Sequence, residues 1–182
     1  MIYMSNKAYV VWFTGFSGSG KSTIASNIEK LLSKQGVHTV LLDGDNLRLG
    51  LNSDLGFSMK ERAENIRRVS EVSKLFIRSG VVVIASFISP DSDARQKAKK
   101  VIGSSNFIEI FCDCRLKVCE NRDVKGNYKQ ARSGNISNYT GIDAVYDVPK
   151  DADIILKTEV ERVDESVEIV FKYLHENKYV GQ

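Results

Sequence analysis

Between positions 15 and 23 the chain reads Gly-Phe-Ser-Gly-Ser-Gly-Lys-Ser-Thr, which satisfies the spacing G-x-x-x-x-G-K-[ST] with Gly15, Gly20, Lys21 and Ser22. Glycines at this spacing let successive backbone N–H groups turn inward around phosphate oxygens, and a helix starting just after them adds the positive end of its dipole. In such a cradle Gly15, Ser17, Gly18, Ser19, Gly20 and Thr23 surround the phosphates of ATP. The Lys21 ammonium reaches the β- and γ-phosphates, and the Ser22 hydroxyl is the expected Mg²⁺ ligand. A glycine- and serine-rich turn can match by chance. Here the pattern follows an expected strand and opens an expected helix, the context that a phosphate cradle requires. By itself it says only that a nucleoside triphosphate binds.

A second polar group follows in Leu-Leu-Asp-Gly-Asp-Asn-Leu-Arg, which sets Asp43, Asp45, Asn46 and Arg48 at the carboxyl end of the next expected strand. Ligands of open α/β sheets bind beyond the carboxyl ends of the strands, so these side chains should face the same crevice as the cradle. A solvated turn with one Asp capping a helix is the plain alternative, and it explains two Asp residues flanking a Gly less easily. Further on, Ser58 is placed to cap a helix, with Glu61 three residues later as in a capping box. Arg62 and Asn65 then share a helix face and can bind one anion together. Taken alone, they read more simply as a solvated charged face.

The elements that must position these groups alternate along the chain. Apolar runs at 9–14, 37–42, 81–85, 107–111 and 153–156 read as strands, and amphipathic patterns at 21–35, 59–79, 91–102, 115–122 and 163–177 read as helices. Near-continuous β-branched runs such as Val81-Val82-Val83-Ile84 suit strands covered on both faces. The alternation predicts an α/β fold, a P-loop NTPase-type doubly wound parallel sheet of about five strands flanked by helices, within one domain spanning 1–182. Gly36, Gly80 and Gly103 stand where helices should stop, as left-handed caps. Residues 123–150 show no clear period and are rich in Gly, Asn, Lys, Arg and Tyr. A loop that long inside a compact domain reads as a lid.

Bulk composition narrows the class. Of 182 residues 42% are hydrophobic and 27% charged, ordinary globular usage that argues against a disordered or fibrous chain. A net charge of +3, with Lys and Arg spread evenly, argues against a nucleic-acid partner. No apolar run approaches the roughly 20 residues of a membrane span. Residues 1–7 lack the apolar core of a signal peptide, so the cytoplasm is the expected compartment. Cys112, Cys114 and Cys119 match no zinc spacing and are odd in number, so they read as small apolar side chains at a strand end and the following helix, with redox sensitivity as the alternative.

Several strings are more specific than the phosphate cradle: LDGDN-x-R from position 42, DLGFS-x-x-x-R-x-E-N-I-R-R from 54, SFISP at 86–90, RD-x-KG-x-Y-K-x-A-R-x-G at 122–134 and TGID-x-x-Y at 140–146. In this order, over about 11–156, the chain closely resembles the adenylylsulfate (APS) kinase family. The resemblance implies ATP- and Mg²⁺-dependent phosphorylation of the 3′-hydroxyl of APS, giving PAPS and ADP. It implies that Asp45 accepts the hydroxyl proton and that Asn46, Arg48, Arg62 and Asn65 hold APS. Phe57 and Tyr139 would sandwich its adenine, Ile88, Ser89, Lys125 and Asn138 would contact it, and Arg122 and Arg132 would lie on the ATP side. Lys21 and lid cations such as Lys125 or Arg132 would offset charge developing on the transferring group.

The resemblance also implies a homodimer and functional coupling to an ATP sulfurylase. The residue matching Ser89 has been proposed as a phosphorylated intermediate in some members, but direct in-line transfer needs no such step. The chain departs from the usual family pattern at Leu49, where many members have a polar residue, at Asn127 in place of Leu and at Tyr139 in place of Phe. Aromatic stacking tolerates different bases, so a paralogous kinase acting on another 5′-modified nucleotide, such as a cytidine derivative, is the competing enzyme reading. A non-catalytic nucleotide-binding module would be expected to lose Lys21, Ser22 or Asp45, and all three are present. A nucleic-acid-dependent ATPase fits less well, because Ser86 and Phe87 follow the third strand where an acidic pair often stands.

Overall fold

The computed structural model describes residues 8–180; the leader reading of residues 1–7 therefore lies outside the described residues. Five strands, β1 (Val10–Thr14), β2 (Thr39–Asp43), β3 (Val82–Ser86), β4 (Phe107–Cys112) and β5 (Ile154–Leu156), form one sheet in the order β2-β3-β1-β4-β5. Every pairing is parallel. The crossovers carry helices α1 (Lys21–Lys34), α2 (Gly44–Arg48), α3 (Met59–Arg78), α4 (Ser92–Ile102), α5 (Leu116–Arg122) and α6 (Asn127–Arg132), and α7 (Val163–Glu176) follows β5. This is the P-loop NTPase fold that the alternating pattern predicts.

The sheet is covered on both sides because its strands are apolar at most positions, and successive side chains of a strand point to opposite faces. Tyr9, Val11 and Phe13 pack with Ile24, Ile28 and Leu32 of α1 and with Val170 and Leu174 of α7. Val10 and Trp12 face the other layer, with Ile66 and Val69 of α3 and Ala94 and Ala98 of α4. Burying each such large side chain contributes about 1.5–3 kcal/mol, so the central strand is pinned from both faces. With β1 fixed, the loops after β1, β2 and β3 open together at the carboxyl ends of the parallel strands.

Boundaries differ from expectation by a residue or two, and two short helices correct the reading. The second strand runs to Asp43, and α2 begins at once, with the Asp43 side chain accepting the Asp45 N–H as its N-terminal cap. The stretch 123–150 is not wholly irregular: it contains α6, whose first turn is held by the Asp123 carboxylate accepting the Tyr128 and Lys129 N–H groups. Gly36 and Gly80 adopt the expected positive φ, 77° and 79°. Gly103 has φ 100° with ψ 124°, so it ends α4 outside the left-handed helical region and leads into a single 3₁₀ turn at Ser104–Asn106 rather than acting as a left-handed cap. Cys112, Cys114 and Cys119 are buried, free thiols at the end of β4 and in α5 and its approach. Among the described residues no helix is long and apolar enough to cross a membrane.

Candidate active site

The loop between β1 and α1 is tight because its neighbours leave no room for side chains. Gly15 has φ 144°, and a Cβ there would lie 2.8 Å from the Cys112 carbonyl oxygen; one at Gly18, with φ 77°, would lie 3.0 Å from that of Cys119. The end of β4 and α5 therefore press the loop into its turn. Lys21 opens α1 with its side chain folded back: Nζ donates to the Phe16 carbonyl at 2.5 Å and to Ser19 Oγ at 3.5 Å. Burial pushes its pKa down from 10.5 to about 8, while Cys112 and Cys119 act in the opposite direction. Ser17 is tied to the 123–150 segment by the Tyr128 hydroxyl, which donates to its carbonyl at 2.9 Å. Arg122 bridges the rim, donating to the carbonyls of Gly18 at 3.2 Å and Thr158 at 2.8 Å. Thr23 is exposed on the first turn of α1.

Ser22 Oγ donates to Asp43 Oδ2 at 2.7 Å and lies 3.1 Å from Ser86 Oγ. The other Asp43 oxygen accepts the Asp45 N–H at 3.0 Å. One carboxylate thus joins the phosphate cradle to the helix that carries Asp45. Its signal in the sequence was the first Asp of the Asp-Gly-Asp string, but its partner lies 21 residues away. Hydroxyl and carboxylate oxygens are the donors a hard cation such as Mg²⁺ prefers, and such an ion needs only one or two protein ligands beside phosphate oxygens. Among the described residues no group of three or more His, Cys, Asp or Glu side chains could hold a metal ion.

The acceptor side is a cleft whose lining includes Asp45, Arg48, Phe57, Arg62, Asn65 and Ser89, with Ile88 beside them. Arg48 donates to the carbonyls of Leu55 and Gly56 at 2.8 and 2.9 Å and lies 4.4 Å above the Phe57 ring. Arg62 donates to the carbonyls of Phe57 and Asn138, each at 3.0 Å. Burial lowers the pKa of both guanidinium groups. Buried Asn52, which sequence reasoning passed over, donates to Asn65 Oδ1 at 2.6 Å and so sets the orientation of that amide. Lys125 reaches across and pairs with Asp45. The cleft holds about 80 Å³, well below the roughly 300 Å³ of a small-molecule site, and the 123–150 segment touches its rim through Lys125 at Asp45 and the Asn138 carbonyl at Arg62. A larger open hollow, about 550 Å³ between α1 and α7, carries no residue of the cradle or the acceptor side.

Other expected site residues fall elsewhere. Asn46 is exposed on α2. Tyr139 is 6% exposed and meets Tyr128 edge-on, with centroids 5.0 Å apart, in a cluster with Phe16 and Leu116. It does not line the cleft beside Phe57, which is 48% exposed. Asn138 and Tyr139 are anchored by their N–H groups, which donate to the Asp143 carboxylate at 2.7 and 2.5 Å. Arg132 pairs with Glu120 at 2.8 Å on the surface. Ser89 is 2% exposed, and its Oγ accepts from the Trp12 indole at 3.2 Å.

Comparison with known proteins matches both the family and the fold. The family model for adenylylsulphate kinase matches residues 7–157. The adenylyl-sulfate kinase of Clostridium acetobutylicum is 51% identical over 175 residues, covering 96% of this chain and 87% of that protein. That of Clostridium kluyveri is 49% identical over 171 residues, covering 94% and 85%. The solved APS kinase of Mycobacterium tuberculosis, in complex with AMPPNP and APS, superposes with a TM-score of 0.89 at 46% identity, covering 93% of this chain and 98% of that one.

Proposed function

The chain belongs to the adenylylsulphate kinase family, and on that footing we propose that it transfers the γ-phosphoryl group of ATP to the 3′-hydroxyl of APS, giving PAPS and ADP. The observation that carries the reading is the Asp43 bridge. It holds Ser22 of the cradle with one oxygen and the backbone of Asp45 with the other, so that donor and acceptor sides open into one crevice.

Phosphoryl transfer runs through a loose transition state, so the protein's work is to align the two oxygens and offset charge. The 3′-hydroxyl oxygen bonds to the γ-phosphorus as the bond to the β,γ-bridging oxygen breaks. ADP departs with that electron pair, and the hydroxyl proton passes to Asp45. Lys21 and the cradle N–H groups bind the phosphates, and Lys125 exchanges its contact with Asp45 for the acceptor and the transferring group. Mg²⁺, held through Ser22 with Asp43 behind it, would neutralise the β- and γ-phosphate oxygens. Arg48, Arg62 and Asn65 bind the anionic end of APS, and Phe57 stacks on its base. The segment 123–150 acts as a lid that excludes water, which would otherwise compete for ATP. Transfer is direct, since the Ser89 hydroxyl is already engaged by Trp12 beneath the surface. A cytoplasmic homodimer that takes APS from an ATP sulfurylase completes the proposal.

Incubation with Mg-ATP and APS, followed by mass spectrometry of the product, should find a 3′-phosphorylated nucleotide. Asp45→Asn should lower kcat about 10²- to 10⁴-fold while ATP affinity stays within about twofold. Turnover of a 5′-modified cytidine nucleotide with none of APS would move the chain to the paralogue reading, and an unchanged kcat would remove Asp45 as the base.

A further inference from the structure

Arg95 has no part in the roles assigned above, yet it is 3% exposed and each of its three guanidinium nitrogens has a partner. Nε pairs with Glu109 of β4 at 2.9 Å. Nη1 donates to the Ser89 carbonyl and Nη2 to the Asp147 carbonyl, both at 2.7 Å. One side chain of α4 therefore ties the central sheet to the acceptor loop and to the end of the 123–150 segment. Around it the same parts are joined again. The Asp147 N–H donates to the Pro90 carbonyl at 2.9 Å, and the guanidinium lies 5.8 Å from the Tyr146 ring centroid. Thr14 Oγ1 donates to the Ile88 carbonyl at 2.8 Å and meets the Tyr146 hydroxyl at 2.9 Å.

Burying a guanidinium is unfavourable, and an apolar pair of similar volume would often pack as well, so packing alone does not account for Arg95. The conformation of Ser89 supplies the reason. Its φ is 39°, a region that residues with a Cβ rarely adopt and keep only where the surroundings over-determine them. Arg95 holds its carbonyl and Trp12 its hydroxyl. We propose that Arg95 is a positioning residue for the acceptor: its fork fixes the Ser89 carbonyl so that 88–90 faces the cleft, and it fastens the end of the lid to the same point. Shaping the acceptor site and seating the lid are then one event. Glu109 neutralises the guanidinium and makes its burial tolerable. The inference rests on the acceptor-site reading given above.

Two variants test it. Arg95→Lys keeps a cation opposite Glu109, but one ammonium cannot span both carbonyls; Arg95→Met combined with Glu109→Leu removes the pair without leaving a buried charge. In both, the KM for APS should rise about tenfold or more while the Kd for Mg-ATP stays within about twofold. Amide exchange should accelerate at 87–89 and 146–148 and remain unchanged in α1. An unaltered KM for APS, or donor and acceptor affinities falling together with Tm, would reduce Arg95 to a packing group. If the wild-type protein does not phosphorylate APS, the functional reading fails and the exchange pattern decides alone. Acceleration confined to those two segments supports the positioning role, whereas uniform or absent acceleration overturns it.

Discussion

Lys21 shows what burial costs a phosphate-binding cation. Its ammonium rests on a carbonyl inside the loop, and burial brings its pKa from 10.5 to about 8. The folded state then binds fewer protons than the unfolded chain between about pH 8 and 10.5, so the stability of the nucleotide-free protein should rise with pH across that window. Phosphates entering the cradle restore the charged form. Binding of Mg-ATP at pH 8.5 should therefore take up protons, and the uptake should fall toward none as the pH is lowered to 6.5. Calorimetry in two buffers of different ionisation enthalpy reads this directly, and identical heats at pH 8.5 would rule it out. The motif made Lys21 and Ser22 legible from spacing alone. The link from Ser22 to Asp43, or from Asn65 to Asn52, was not legible, because each joins residues that only the folded chain brings within hydrogen-bonding reach.

Among the elements, α3 carries the clearest local instruction. Ser58 Oγ accepts the Glu61 N–H at 3.3 Å, and Glu61 accepts the Ser58 N–H at 3.1 Å and the Gly56 N–H at 2.9 Å. The Ser58 hydroxyl, then the Gly56 and Ser58 backbone, hold the Glu61 carboxyl below its ordinary range. The same cap organises the loop that presents Phe57 and receives Arg48. Ser58→Ala should destabilise the protein by about 1 kcal/mol, seen as a Tm lower by about 2–4 °C, and should weaken APS binding more than ATP binding. An unchanged Tm would mean that Glu61 holds the turn unaided. This capping box could be read from four residues. Helices α2 and α6 could not, since five and six residues are too few to establish a 3.6-residue period.

At the scale of the whole molecule, the single tryptophan reports on both the core and the site. Trp12 lies in the central strand, stacked on Phe87 and Phe107 with centroids 5.5 Å away, and its indole donates to Ser89. Unfolding in urea followed by its emission and by far-UV circular dichroism should give superimposable transitions. Mg-ATP at about 100 times its Kd should shift both by about 2.7 kcal/mol. Separate transitions would mean that the sheet and its helical layers do not unfold as one unit. The amino-acid order by itself determined the alternation of strands and helices, the phosphate cradle and the family, because periodicity, caps and glycine spacing are properties of contiguous residues. Only the tertiary structure decided that β3 lies between β2 and β1, which brings Ser22, Asp43 and Ser86 together. It also turned Tyr139 toward Tyr128 and set Arg95 against Glu109 and Ser89. Those choices depend on strand order and on which distant groups compete for a buried partner, and no local window of sequence encodes either.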